Sequence, residues 1–226
     1  MIITFASSKG GVGKSTTCAC LAGAIAFEGR SVHIVDIDAN RTIGRWLEHQ
    51  GHAKITVSAP TPAQLTEHLE EITRTVNPDI ILIDVAGAFE QAITVAMARA
   101  NLTIIPAAPT EADLHEANRI AAHLRGVFAA FRREPVFRVL LTQVQALGSH
   151  AQAHAFREVE RLGLPRFATT IGHRAAYQEI GFSGAPPHLA SPARPTTTKA
   201  IAEIDALWRE IGELIAAPSH QGKIAA

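Results

Sequence analysis

The sequence has few of the features of an extracellular or membrane-spanning protein. It contains only two cysteines in 226 residues, Cys18 and Cys20, in a segment that is predicted to be helical. Positions i and i+2 do not face each other on a helix, which argues against a disulfide between them. No four-ligand metal spacing occurs, so we expect both thiols to be buried as small hydrophobic groups. No apolar run approaches the roughly 18 residues that a transmembrane helix needs.

The beginning of the chain shows no targeting pattern. Residues 2–6 are a short apolar run typical of a strand, with no basic leader or cleavable apolar segment. We therefore expect a cytoplasmic protein. With 47% hydrophobic and 19% charged residues, the chain is apolar enough for a packed core, which excludes general disorder.

The chain also lacks net charge, because 21 basic residues balance 21 acidic ones. This balance would argue against a nucleic-acid partner if the charges were evenly spread. Residues 1–118, however, carry a net charge of −5, residues 119–199 a net charge of +7 and residues 200–226 a net charge of −2. Such asymmetry is a hint of a polyanionic partner for the second half of the chain.

Short apolar runs alternate with helix-length segments along the chain. The predicted strands are continuous in hydrophobicity, as in sheets buried on both faces, and span 2–6, 32–35, 80–83, 102–105 and 136–141, with a weaker candidate at 55–57. Helices are predicted at about 15–28, 41–50, 62–76, 88–100, 111–132 and 150–162, with a last helix after a proline-rich loop at 184–198. This order predicts an α/β fold, a mostly parallel twisted sheet with helices on both faces. We expect a single domain over 1–217 and a flexible tail over 218–226.

A glycine-rich loop follows the first predicted strand and leads into a helix. Its residues are Ser7-Ser8-Lys9-Gly10-Gly11-Val12-Gly13-Lys14-Ser15-Thr16. The glycines let successive backbone amides point at phosphate oxygens, and the helix N-terminus adds its positive end. In such a loop Lys14 reaches the β- and γ-phosphates, and the Ser15 hydroxyl ligates Mg²⁺. The loop therefore predicts binding of a nucleotide.

Three aspartates, Asp36, Asp38 and Asp84, stand at the ends of buried strands. Ligands of parallel sheets bind at that edge, and carboxylates there are stabilised by a cation such as Mg²⁺. We expect Asp84 to hold a metal-bound water and Asp36 to lie behind the metal ligands. A single aspartate at a strand end can also cap a helix.

The loop and the strands around it resemble the ParA/MinD group of P-loop ATPases with the deviant Walker A motif. The resemblance rests on the run from Lys9 to Thr16, on Val35-Asp36-Ile37-Asp38-Ala39-Asn40, on Ile80-Ile81-Leu82-Ile83-Asp84 and on Ile104-Ile105-Pro106-Ala107-Ala108-Pro109-Thr110. It covers residues 1–145 well, and a looser likeness to small plasmid-partition ParA proteins extends over 171–179. It implies a P-loop NTPase domain that binds ATP and Mg²⁺.

The resemblance also implies roles for individual residues. Lys9 would reach the nucleotide of a partner across a homodimer interface, and Asp38 would orient the attacking water, so that Lys9, Lys14 and Asp38 form the catalytic set. Thr142 and Gln143, after the strand at 136–141, are placed either to meet the base or simply to form a polar loop.

The sequence departs from the pattern of this group at two places. Ser8 replaces a glycine of the phosphate loop, and the segment after Asp84 keeps Gly87 without the proline that often follows. Asp113 could meet Lys9 across the dimer or cap the helix that begins nearby.

Membrane binding is the weaker of two partner hypotheses. The last helix carries an apolar stripe, and its other positions include Glu203, Asp205, Glu210 and Glu213, which anionic lipid would repel. We therefore assign its stripe to the core; it consists of Ile201, Ile204, Leu207, Trp208, Ile211, Leu214 and Ile215.

Non-specific DNA binding fits the basic region at 119–199, since several cations must reach phosphates together. The candidates are Arg166, Arg174, Arg194 and Lys199, in or beside loops. Arg125, Arg132 and Arg133 are interpreted as the solvated face of a long helix.

The sequence therefore predicts an ATPase that dimerises on Mg-ATP, binds DNA non-specifically and hydrolyses ATP slowly. A ParB-like or other partner protein would stimulate hydrolysis, with a plasmid or another cargo being positioned. The stretch 38–46 resembles VirC-type ATPases that assist conjugative DNA transfer, which keeps that role open. A non-hydrolysing adaptor and a metabolic P-loop enzyme are the remaining alternatives.

Overall fold

Six parallel strands form one sheet in the computed structural model, which describes residues 1–47, 51–85, 90–190 and 195–216. The strands are β1 (Ile2–Phe5), β2 (Val32–Ile37), β3 (Ile55–Ser58), β4 (Ile80–Val85), β5 (Leu102–Ala107) and β6 (Phe137–Leu141). Their order across the sheet is β3-β2-β4-β1-β5-β6, and every pairing is parallel. The predicted α/β fold is confirmed, including the weak strand candidate β3.

Helices connect these strands in the described part of the chain. They are α1 (Lys14–Phe27), α2 (Thr42–Leu47), α3 (Leu65–Thr75), α4 (Glu90–Arg99), α5 (Glu111–Ala129), α6 (His150–Arg161), α7 (Ala175–Gln178), α8 (Ile180–Ser183) and α9 (Pro195–Ala216). A 3₁₀ turn, Pro62–Gln64, occupies what was predicted as the first turn of α3. The four-residue helices α7 and α8 were not predicted, because a single turn shows no periodicity. Gly87, Arg194 and the predicted tail lie outside the described residues.

Two apolar clusters lie on opposite faces of the sheet, which explains why the strands are continuously hydrophobic. One face is covered by α1, α2 and α9, and the other by α3, α4, α5 and α6. In α9, Ile204, Leu207 and Ile211 are fully buried against the first cluster, as expected for core packing, whereas Ile215 at the end of the predicted stripe is 38% exposed. None of the helices in the described residues is long and apolar enough to cross a membrane. Cys18 and Cys20 are buried and not disulfide-bonded.

A buried histidine links β2 to the edge strand β3. His33 is 6% exposed, and its ring nitrogens lie 2.7 Å from the Thr56 hydroxyl and 2.8 Å from the Ser58 hydroxyl. His68 of α3 lies 2.7 Å from the same Ser58 hydroxyl. Burial, and secondarily the neighbouring His68, lowers the pKa of His33 to about 4.

Replacing His33 with glutamine tests how this histidine makes the stability of the protein depend on pH. Between pH about 6.5 and about 4 the unfolded chain binds a proton at His33 that the folded chain excludes, so wild-type stability at this site falls as pH falls. We expect the stability advantage of wild type over His33→Gln to shrink over that window. Urea denaturation of both proteins at several pH values measures it. Parallel stability curves would contradict the assignment.

Candidate functional site

The phosphate loop joins the carboxyl end of β1 to α1 at the centre of the sheet. Gly11 and Gly13 have φ values of 78° and 84°, in the left-handed region that glycine adopts without strain. Gly13 precedes the first residue of α1, and no side chain caps that helix end. The first amides of α1 therefore have no side-chain cap and are available to a phosphate.

A cavity of about 850 Å³ opens beside this loop. It is large enough for a nucleotide, because small-molecule pockets span roughly 300–1,000 Å³. Besides the loop, its walls are formed by the segment after β2, by Trp46 of α2, by Thr142 and Gln143, and by six residues from Ile171 to Gln178. The cavity thus brings together residues from both halves of the chain.

Ser15, which lines the cavity, is hydrogen-bonded to Asp84 near the carboxyl end of β4. The Ser15 hydroxyl donates a hydrogen bond of 2.6 Å to Oδ2 of Asp84. The other carboxylate oxygen, Oδ1, is buried with no hydrogen-bond partner among the described residues. Burial, together with the nearby Asp36 and Asp38, raises the pKa of Asp84 to about 7, although the Ser15 hydrogen bond and Lys14 act against this shift.

These two residues fit Mg²⁺. The ion prefers oxygen ligands, and it binds through one or two protein groups while keeping several waters and substrate phosphates. A cation would pair the orphaned Oδ1 and favour the ionised form of the carboxylate.

Asp36 and Asp38 have different surroundings. Asp36 is 1% exposed, and its two oxygens accept the amides of Asp38 (3.0 Å) and Gly44 (3.2 Å). Burial is the main cause of its raised pKa, and these amides oppose it. Asp36 therefore holds the 38–44 segment in place instead of presenting a free oxygen to a metal. Asp38 lines the cavity, and one of its oxygens accepts the amide of Asn40 at 2.9 Å.

Thr142 and Gln143 brace the phosphate loop. The Thr142 hydroxyl donates to the Val12 carbonyl at 2.9 Å, and the Gln143 side-chain amide donates to the Gly11 carbonyl. Both residues line the cavity, but these polar groups are committed to the loop. These loop contacts are the ones that the structure shows, and the contact with the base that was considered for both residues stays a prediction.

Removing the Thr142 hydroxyl is expected to loosen the loop. In Thr142→Val the buried Val12 carbonyl loses its donor, which costs about 1–3 kcal/mol of stability. Thr142→Ser keeps the hydroxyl and serves as the control. Chemical denaturation measures the loss, and titration with an ATP analogue measures the accompanying drop in affinity. Equal stability of the valine and serine variants would contradict this role.

Lys9 and Lys14 both make contacts within their own protomer. The Lys14 ammonium donates to the Lys9 carbonyl at 2.6 Å, and burial lowers the pKa of Lys14. The Lys9 ammonium lies 3.0 Å from the Asp113 carboxylate and is 39% exposed. Thr110, not Asp113, caps α5, and its hydroxyl accepts the Asp113 amide at 3.2 Å. The Lys9 contact that was considered across a dimer is formed here within one protomer.

The residues predicted to bind DNA differ in their contacts and in their exposure. Arg174 lines the cavity and is paired with Glu203, which raises the pKa of the guanidinium. Arg166 lies 3.7 Å from Glu160 and its guanidinium stacks 5.4 Å from the Phe156 ring. Lys199 is exposed on α9. Arg194 lies outside the described residues.

Glu203 is the residue of this site that the sequence analysis missed. Its carboxylate accepts the Gly172 amide at 3.2 Å and the Tyr177 hydroxyl at 2.8 Å, besides pairing with Arg174. It therefore fixes the cavity wall formed by 171–178. The sequence offered no signal for these contacts of Glu203, because its position is that of one more acidic residue on the polar face of α9.

The fold and the site define a P-loop protein of the ParA/MinD type. MinD of Aquifex aeolicus has the same fold at 21% identity, with a TM-score of 0.72 over 93% of this chain and 97% of that chain. Apo McdA of Cyanothece superposes with a TM-score of 0.69 at 17% identity, over 90% of this chain and 98% of that chain.

The chain belongs to the VirC1 family, whose model, described as VirC1 protein, matches residues 1–200. The virC1 protein of Rhizobium rhizogenes is 33% identical over 121 residues, which cover 51% of this chain and 52% of the relative. Protein ParA of Rhizobium radiobacter is 25% identical over 181 residues, covering 79% of this chain and 81% of the relative. The resemblance to the ParA/MinD group is confirmed.

Proposed function

We propose that this protein is a Mg²⁺-dependent ATPase that uses ATP to control its dimerisation and its hold on DNA. The observation that carries the proposal is the Ser15–Asp84 pair beside a glycine loop, with one buried carboxylate oxygen left for a cation. Membership of the VirC1 family supports it. No contact within the protomer accounts for that oxygen among the described residues.

Each residue of the loop has a defined task in this proposal. The amides around Gly11 and Gly13 bind the phosphates, and Lys14 leaves the Lys9 carbonyl to neutralise the β- and γ-phosphates. Ser15 and Asp84 hold Mg²⁺, which would neutralise charge on the transferred phosphoryl group. Asp38, which lines the cavity and has one oxygen not bound to Asn40, orients the attacking water.

Dimerisation is proposed to depend on an exchange of partners by Lys9. In the protomer its ammonium is paired with Asp113 at 3.0 Å. This ion pair is partly exposed, so breaking it costs little. A bound γ-phosphate from a second protomer would offer Lys9 a stronger, more highly charged partner. ATP would then favour the dimer, whereas ADP, which lacks that phosphate, would not.

Hydrolysis would release the dimer, at a rate that a ParB-like or other partner protein stimulates. DNA binding is supported by the +7 charge of residues 119–199, and a dimer would present this charge twice. We infer that the protein works in the cytoplasm and associates with the nucleoid when ATP is bound.

The cargo is proposed to be transferred DNA. The family match and the 33% identity to a virC1 protein favour the VirC-type role in conjugative transfer. Plasmid partition is the second candidate, favoured by the ParA relative, which aligns over 81% of its own length. Deleting the gene from a donor strain should lower transfer frequency under the first proposal and plasmid retention under the second.

Phosphate release and DNA retention together test the biochemical proposal. We expect slow Mg²⁺-dependent phosphate release, and stronger retention of a long duplex in a gel with ATP than with ADP. Lys9→Ala should lose the ATP effect on retention, because it cannot reach a partner's phosphate. Retention that is indifferent to nucleotide would overturn the switch, and undetectable phosphate release would leave a non-hydrolysing adaptor.

A further inference from the structure

The positive charge available to a polyanion is concentrated in the turn between α5 and β6. We call residues 125–138 the basic turn; it has one acidic residue, Glu134, and four arginines, which are Arg125, Arg132, Arg133 and Arg138. Among the described residues no carboxylate lies within ion-pair distance of these arginines. In contrast, Arg161 and Arg166 are paired with glutamates, and Arg174 is held by Glu203.

Two of the arginines are held on aromatic rings. The Arg125 guanidinium lies 5.2 Å from the centre of the Phe137 ring, and that of Arg133 lies 5.8 Å from the centre of the Phe128 ring. Stacking on a ring restrains the guanidinium and leaves its N–H groups available to oxygen acceptors. Less side-chain freedom is then lost when these groups bind a phosphate.

An exposed phenylalanine lies in the same turn. Phe131 is 65% exposed, and its amide bonds the Phe128 carbonyl at 2.9 Å, which places it directly after the last turn of α5. Cations in the last turn of a helix are stabilised by its last carbonyls, but the last turn of α5 has no basic residue. That effect therefore does not account for the arginines of the basic turn, nor for the exposed aromatic ring.

We propose that the basic turn binds single-stranded nucleic acid. Single-strand binding surfaces combine cations that contact the backbone with aromatic rings on which unpaired bases stack. The four arginines and Phe131 supply both elements within fourteen residues. A lipid surface is a poorer partner, because Phe131 and Val136 offer too little apolar area for insertion.

The basic turn lies at the amino-terminal ends of the strands, whereas the phosphate loop lies at their carboxyl ends. The Val136 carbonyl accepts the amide of Thr103 at the start of β5, whereas the loop follows the carboxyl end of β1, a strand parallel to β5. The turn therefore stays accessible in a dimer that assembles through Lys9. This inference rests on the DNA binding of the proposed function, but it places one binding surface on each protomer.

That placement predicts a dependence on the length of the nucleic acid. A short strand occupies one turn, so its affinity should not depend on ATP. A long strand can reach both turns of a dimer, so ATP should strengthen its binding through effective concentration. If ATP does not drive dimerisation, only the strengthening of long-strand binding by ATP is lost, and the short strand still binds.

The test measures binding of an oligothymidylate of about 12 nucleotides by fluorescence anisotropy, without nucleotide, at several salt concentrations. The double variant R132Q/R133Q should bind at least about tenfold more weakly, and its slope of log affinity against log salt should fall by about 1.4. Arg161→Gln is the matched control, because Glu158 already neutralises that arginine. An unchanged affinity and slope for the double variant would overturn the proposal.

Phe131→Ala tests the preference for single strands. We expect at least about a fivefold loss of oligothymidylate affinity and a smaller loss for a duplex of equal length. Phe182→Ala, at a site 95% exposed, is the control for losing an exposed ring. Equal losses for both nucleic acids, or binding to anionic vesicles that depends on Phe131 in place of oligonucleotide binding, would overturn the proposal. A Lys9→Ala protein that still binds the short strand would show that this surface works without the switch.

Discussion

Asp38→Asn is expected to lower ATP turnover about hundredfold or more while leaving the affinity for Mg-ATP nearly unchanged. The side chain lines the cavity and accepts the Asn40 amide through one oxygen. Asparagine can keep that hydrogen bond, but it loses the charge that polarises and orients an attacking water. Positioned groups of this kind contribute about 10²–10⁴ in rate. Phosphate release and binding of a fluorescent ATP analogue measure the two effects.

Asp36→Asn is the comparison for this prediction. The Asp38 and Gly44 amides bond different oxygens of Asp36, and asparagine would place an NH₂ donor against one of them. We expect lower stability of the 38–44 segment, visible as faster hydrogen exchange there. If Asp38→Asn retains wild-type turnover, then Asp38 does not act on the water, and the assignment is wrong.

Asp84→Asn is expected to remove most of the Mg²⁺ dependence of the protein. The variant can still accept the Ser15 hydrogen bond, but it offers the metal no negative charge. Because a bound metal supplies several kcal/mol of transition-state stabilisation, turnover should fall about hundredfold or more. Chelating Mg²⁺ from wild type should give a comparable loss, with no further loss in the variant.

The same carboxyl group sets a pH dependence for metal binding. Its pKa is raised to about 7 in the metal-free protein, so below that pH Mg²⁺ must displace a proton. We expect the apparent Mg²⁺ affinity of wild type to increase as pH rises to about 7 and then to level off. Titrations at pH values from 5.5 to about 8.5 would show the increase for wild type and none for Asp84→Asn. A pH-independent affinity in wild type would contradict the raised pKa.

The fold was predictable because its strands are buried on both faces. The continuous apolar runs that became β2 and β4 predict parallel strands, and the glycine loop after β1 predicts where the ligand binds. The short helices α7 and α8 could not be predicted, since their conformation is fixed by packing against α2 and α9.

The sequence allowed the residues of the site to be named, but it did not show which of them contact each other. Sequence reasoning brought Ser15 and Asp84 together because each belongs to a local motif. It could not show that Thr142 bonds the Val12 carbonyl, 130 residues away in the chain. Likewise, the pairing of Arg174 with Glu203 depends on how α9 packs, so a count of charges assigned that arginine to DNA.

Sedimentation of the Asp38→Ala protein in Mg-ATP is the most direct test of the ATP-driven dimer. The protomer has a mass of 24.1 kDa. With hydrolysis blocked, we expect a species of twice that mass in Mg-ATP, and the single protomer in Mg-ADP and in the Lys9→Ala, Asp38→Ala double variant. A protein that remains monomeric in Mg-ATP while binding the nucleotide, or one that is equally dimeric in ADP, would contradict the account.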